Sequence, residues 1–128
     1  MNTAEVRYLK ISFDDVLKRL RSYARRKAKE KNVKTIVLAG SIAKGTYTGT
    51  SDADILIISD DPPSNILNRH TIFSDDRMPI DLEPHAYTTE ELLKMLRRGD
   101  RFILDTLRYG IPIYGKRFFN QLRTQIFE

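Results

Sequence analysis

Two apolar, β-branched runs at residues 33–39 and 53–59 each meet a polar cluster, and the pairing of those clusters constrains this chain more than any other feature. Gly40-Ser41 closes the first run, ten residues follow, and Asp52 and Asp54 open the second. Residues two apart on a strand point to the same side, so the two carboxylates converge. Like charges beside the apolar Ile55-Leu56-Ile57-Ile58 are costly unless a cation stands between them. A hard divalent ion such as Mg²⁺, held by carboxylates and by substrate phosphates, resolves that conflict. The bland alternative is that the acids merely end a loop and cap a strand. Gly40 lets the backbone approach a ligand, and Ser41 is placed to cap a short helix, ending near Gly45, whose amides and hydroxyl suit phosphate oxygens. The pattern is neither a P-loop, which needs a Gly-Lys-Ser/Thr end, nor a three-glycine dinucleotide turn.

The rest of the chain supplies the frame. Ser12-Phe13-Asp14-Asp15 resembles a capping box. Phe13, Val16, Leu17, Leu20, Ala24 and Ala28 recur at spacings of three and four, which predicts an amphipathic helix over residues 12–31. A Thr/Gly loop at 46–50 precedes the second strand, and Asp60-Asp61-Pro62-Pro63 stops it. Residues 64–78 are the least readable part, and 65–73 within them suit either a short strand or a helical turn. A third strand is expected over 79–87, with Ile80 and Leu82 on one face and Asp81 and Glu83 on the other. Thr88-Thr89-Glu90-Glu91 is a capping box opening a helix to about residue 98. Gly99-Asp100 starts another, with Gly110 as its C-cap, and residues 116–127 form a last helix. The expectation is a single α+β domain over residues 1–128, a small mixed β-sheet with helices packed mainly on one face.

Charge and composition narrow the setting. The chain has no cysteine, which removes disulfide scaffolds, Cys-ligated zinc and thiol nucleophiles. No signal peptide is readable at the N-terminus, and no apolar run approaches the ~20 residues that cross a membrane; a soluble cytoplasmic protein is expected. Residues 18–34 carry nine Lys or Arg against one acid, Glu30. This run is a solvated helix face, a docking patch for an acidic protein, or a nucleic-acid footprint. No aromatic side chains are interleaved as stacking platforms, so nucleic acid is the weaker functional reading.

Gly40-Ser41 and Asp52-Ala53-Asp54, with Ala43, Gly45 and Ser51 in place and Lys44 where arginine is usual, resemble the signature of the DNA polymerase β nucleotidyltransferase superfamily. More narrowly, the chain is similar to its minimal nucleotidyltransferase (MNT) domains. Ile80-Asp81-Leu82 has the form of that family's third carboxylate, and Tyr109-Gly110-Ile111-Pro112-Ile113-Tyr114-Gly115 looks like its closing segment. The resemblance spans residues 33–115. It implies that Asp52, Asp54 and Asp81 hold two Mg²⁺ ions and that Asp81 helps deprotonate the attacking hydroxyl. By the same likeness Gly40 and Ser41, with Lys44 and Ser51, would bind the nucleotide. Lys44 reads equally as a solvated surface lysine, Glu83 competes with Asp81 on the same strand face, and Tyr47 stacks on a base or covers the core. His70 and His85 read as bystanders, with His85 able to reach the site's rim.

The implied activity is transfer of a nucleoside monophosphate, AMP from ATP or its equivalent from another nucleoside triphosphate, to an acceptor hydroxyl. With no acceptor-gripping second domain expected, the acceptor would sit on a separate partner. In the family this is often a tyrosine of a HEPN-type toxin, which makes such chains antitoxins. The basic helix and the last helix, around Phe118 and Phe119, are the candidate docking surfaces. The alternative is a non-catalytic module that binds nucleotide and neutralises its partner by contact.

Overall fold

The structure, a computed structural model, describes all residues except 1–12, 31, 46–51, 61–65, 76, 79 and 128. Ser12 of the first expected capping box, the Thr/Gly loop with Tyr47, and Ser51 therefore lie outside the described residues. In chain order the elements are α1 (Phe13–Glu30), β1 (Val33–Ala39), α2 (Gly40–Lys44), β2 (Ala53–Ser59), α3 (Ile66–Phe73), β3 (Leu82–Tyr87), α4 (Thr89–Arg97), α5 (Arg101–Tyr109), β4 (Ile111–Tyr114) and α6 (Lys116–Phe127). The sheet order is β3-β2-β1-β4. The strands β1–β2 and β1–β4 pair antiparallel, whereas β2–β3 pair parallel. This is the expected α+β class with a small mixed sheet.

Strand alternation divides the core. Ile36 and Leu38 of β1, with Ile55 and Ile57 of β2, face α1, where Val16, Leu17, Leu20 and Ala24 form the anticipated stripe. Val37, Leu56 and Ile58 point the other way, onto Leu92 of α4, Ile103 and Leu107 of α5, and Phe119 and Leu122 of α6. Three helices thus share one face, and α1 with Phe73 of α3 covers the other. Tyr23, outside the stripe read from the sequence, is fully buried, and its hydroxyl donates to the Phe73 carbonyl.

The ambiguous stretch before β3 resolves as α3, a helix that carries a buried cation. Arg69, 7% exposed, donates to the Ala86 carbonyl at 3.1 Å and to Glu91 Oε1 at 2.8 Å. Glu91 also closes the capping box of α4: Thr88 Oγ1 accepts from the Glu91 amide at 3.0 Å and Glu91 Oε1 accepts from the Thr88 amide at 2.8 Å. Arg69 therefore ties α3, β3 and α4 together while its own buried guanidinium finds acceptors.

Two expected boundaries shift. The third strand begins at Leu82 rather than 79, and Asp81 joins the ladder through its carbonyl, which accepts from the Ala53 amide at 2.8 Å. Gly110 ends α5 but is extended, with φ −63° and ψ 148°, rather than left-handed. A Cβ there would stand 2.4 Å from the Thr106 carbonyl oxygen and 2.6 Å from Val37 Cγ1, so close approach of α5 to β1 is what requires glycine.

Candidate active site

The antiparallel pairing of β1 with β2 sets Ala39 opposite Asp54. The chain leaves β1 at Gly40 with φ +67°, a conformation that side-chain-bearing residues rarely adopt. A Cβ on Gly40 would lie 2.4 Å from Asp54 Oδ2. The turn after β1 and the first inward acid of β2 are thus in direct contact, as the Gly-Ser and Asp-x-Asp spacing requires.

Ser41 does not cap α2. Ala39 holds the cap position in extended conformation, with no side-chain hydrogen bond, and Ser41 lies half-buried within the first turn. The helix starts at Gly40, so its cap falls two residues earlier than expected. The helix does end as read, at Gly45, with φ +76° and its amide on the Ile42 carbonyl. Lys44 is engaged by α5: its Nζ is 3.0 Å from Asp105 Oδ2 and 5.4 Å from the centroid of the Tyr109 ring.

The parallel pairing of β2 with β3 places Glu83 as the partner of Asp54. One residue earlier than the Ala53–Leu82 pair stand Asp52 and Asp81, both exposed, at the mouths of the two strands. Four carboxylates are therefore brought to one end of adjacent strands: Asp52 and Asp54 on β2's side, Asp81 and Glu83 on β3's. Glu83 Oε2 comes within 4.0 Å of His70 Nε2 on α3.

His85 reaches further than the rim. Its Nε2 donates to Asp54 Oδ1 at 3.1 Å, and its ring lies 4.3 Å from that of Phe102 at 37°. The side chains of His85 and Asp54 are 27% and 34% exposed. Asp54 is thus gripped on one oxygen by an imidazole and faces the backbone of Gly40 with the other. The available signal in sequence was the even spacing of Asp81, Glu83 and His85, which puts all three on one strand face.

An all-oxygen donor set of carboxylates has the chemistry that a hard divalent cation such as Mg²⁺ takes. Asp52 and Asp54, with Asp81 or Glu83, are the side chains to hold it. Among the described residues, however, no three of Asp, Glu, His or Cys stand close enough together to form a metal-holding group. No helix among them is long and apolar enough to cross a membrane.

Residues 17–108 match the sequence model of a family described as the nucleotidyltransferase domain. No curated protein matches the chain. Among solved structures, the fold is similar to a crystal structure of a Sulfolobus solfataricus protein named as a candidate nucleotidyltransferase. The TM-score is 0.52 and the identity 18%, covering 73% of this chain and 82% of that one.

Proposed function

We propose that this chain, which belongs to the nucleotidyltransferase domain family, transfers AMP from ATP to an acceptor hydroxyl in an Mg²⁺-dependent reaction. The generic activity, nucleotidyl transfer from a nucleoside triphosphate, follows from the family; the nucleotide, the ion and the acceptor are our reading. The observation that carries it is the close approach of Gly40 and Asp54, which unites a backbone turn suited to phosphate with the carboxylate of β2 that follows Asp52 by two residues.

The reaction is an in-line displacement. The acceptor oxygen forms a bond to the α-phosphorus, the bond from that phosphorus to the bridging oxygen breaks, and pyrophosphate leaves. Asp81 takes the proton of the attacking hydroxyl. Gly40 and Ser41 hold the β- and γ-phosphates, and Asp52 and Asp54 would hold the divalent ion that lies against them. When bound, divalent metal would offset the charge on the entering and leaving oxygens. The acceptor we favour is a tyrosine hydroxyl of a separate HEPN-type protein, a reading supported by the resemblance to MNT domains, and it would make the chain an antitoxin. Incubation with α-phosphate-labelled ATP, Mg²⁺ and the co-purified partner tests this: label on a partner tyrosine with release of pyrophosphate supports it, and label on no protein contradicts it.

A second reading is favoured by one observation. Asp54 Oδ1 is already held by His85, and the acids are not gathered into a trio among the described residues. A chain that binds nucleotide without turnover and silences its partner by contact would tolerate that arrangement. It predicts a stable complex with the partner and no label transfer.

A further inference from the structure

The outer side of α1 forms one wall of a cationic cleft. Lys18, Arg19, Ser22 and Arg26 follow one another at helical spacing and face Arg77 across an open cavity of about 400 Å³. Among the described residues Asp15 is the only acid lining it and Met78 the only apolar one.

The two arginines that meet across the cleft are held in place from behind. Asp75, whose side chain is 4% exposed, accepts from Arg26 Nη2 at 2.9 Å. It also accepts from Arg77 at Nε, 3.0 Å, and at Nη2, 3.1 Å, and from the Arg77 amide at 2.9 Å. One carboxylate thus fixes two guanidiniums and restrains the loop before β3, so little side-chain freedom is left to lose when an anion binds. Arg77 stands four residues before Asp81, beside the mouth of β3.

We propose that this cleft binds the sugar–phosphate backbone of a nucleic acid without reading its sequence. Among the described residues Lys18, Arg19, Arg26 and Arg77 outnumber Asp15 at the lining and Asp75 behind it, and that excess of positive charge suits a polyanion. Protein interfaces are depleted of charge at their centre and built around apolar anchors, and here Met78 is the one apolar lining residue among those described, which disfavours an acidic protein. Guanidinium forks match phosphate oxygens in pairs. From Lys18 to Arg26 the helix rises roughly 12 Å, enough to follow about three nucleotide steps. Among the described residues no aromatic side chain lines the cleft for base stacking, so the contacts these residues offer are to phosphate. The inference concerns binding and does not rest on nucleotidyl transfer.

Fluorescence anisotropy of the full chain with a labelled mixed-sequence single-stranded oligonucleotide, as RNA and as DNA, tests it across a salt series. Binding weakens with salt, equally for unrelated sequences. Lys18→Gln with Arg19→Gln lowers affinity about tenfold and flattens the salt slope by about 0.7 per lost contact. Ser22→Glu, which only adds an acid to the cleft, also weakens binding. Lys116→Gln with Arg117→Gln on α6 removes the same charge elsewhere and leaves affinity unchanged. The proposal is overturned by absent or salt-insensitive binding. It is equally overturned if the α6 pair loses as much affinity, or if polyglutamate displaces the oligonucleotide as well as unlabelled oligonucleotide does, the result an acidic-protein site gives.

Discussion

His85 and Asp54 meet at the candidate site, Nε2 to Oδ1 at 3.1 Å, although they lie on different strands and 31 residues apart. The bond fixes which carboxylate oxygen turns toward Gly40. A partner of this kind sets the orientation of a ligating carboxylate, and such partners are worth ~10–100-fold in metal affinity or activity.

Replacing His85 by Ala is therefore expected to weaken Mn²⁺ binding, followed by its electron paramagnetic resonance signal, by ~10-fold or more. His85→Gln, which keeps a donor in the region of Nε2, should recover part of that loss. Equal weakening in both variants would mean that the stack on Phe102, not the hydrogen bond, matters.

Gly40→Ala is expected to damage both stability and the site. The new Cβ would lie 2.4 Å from Asp54 Oδ2, and the left-handed φ of +67° costs a side-chain-bearing residue ~1–2 kcal/mol before that clash is counted. Urea unfolding should show at least ~1 kcal/mol of destabilisation, with nucleotidyl transfer lost. A variant with unchanged midpoint and activity would refute the close contact.

Thr88→Ala removes one half of the α4 capping box and should cost ~1 kcal/mol by denaturant titration. A change near zero would show that Arg69 alone holds Glu91 in place.

Stability should fall in acid through Glu91 and Asp75. Burial raises Glu91, but the Thr88 amide and the Arg69 guanidinium outweigh it and leave its carboxyl below the ordinary glutamate range. Arg77 holds Asp75 well below the ordinary aspartate range, against the opposing effect of burial and with help from Arg26. A carboxyl depressed in the folded state contributes stability above its unfolded value and loses it as pH falls through the folded one. Glu91→Gln should therefore be less stable than the parent at about pH 7, and the gap should shrink toward about pH 3. A gap independent of pH would contradict the assignment.

Local chemistry made much of this legible. The strands β1 and β2 announce themselves as runs of β-branched residues buried on both faces, and α4 as a capping box. The junction of Gly40 with Asp54 was readable because the two strands are neighbours in sequence and antiparallel. What stayed hidden depends on contacts across long separations. Glu83 rather than Asp81 is the partner of Asp54, a register set by parallel pairing that residues of one strand face cannot reveal. The helix α3 was ambiguous because its buried member at 69 is an arginine, whose partners Ala86 and Glu91 lie beyond the next strand's start. Asp75 reads as a loop acid until Arg26, 49 residues earlier, is placed beside it.

The central claim is that Asp54 carries metal-dependent nucleotidyl transfer, and the rate of Mg²⁺-dependent label transfer from α-phosphate-labelled ATP by Asp54→Asn, relative to the parent chain, tests it most directly. The account predicts a loss of at least about a hundredfold with the fold retained, since a carboxylate that would hold the divalent ion is removed with little change of shape. Transfer at the parent rate by Asp54→Asn would contradict it.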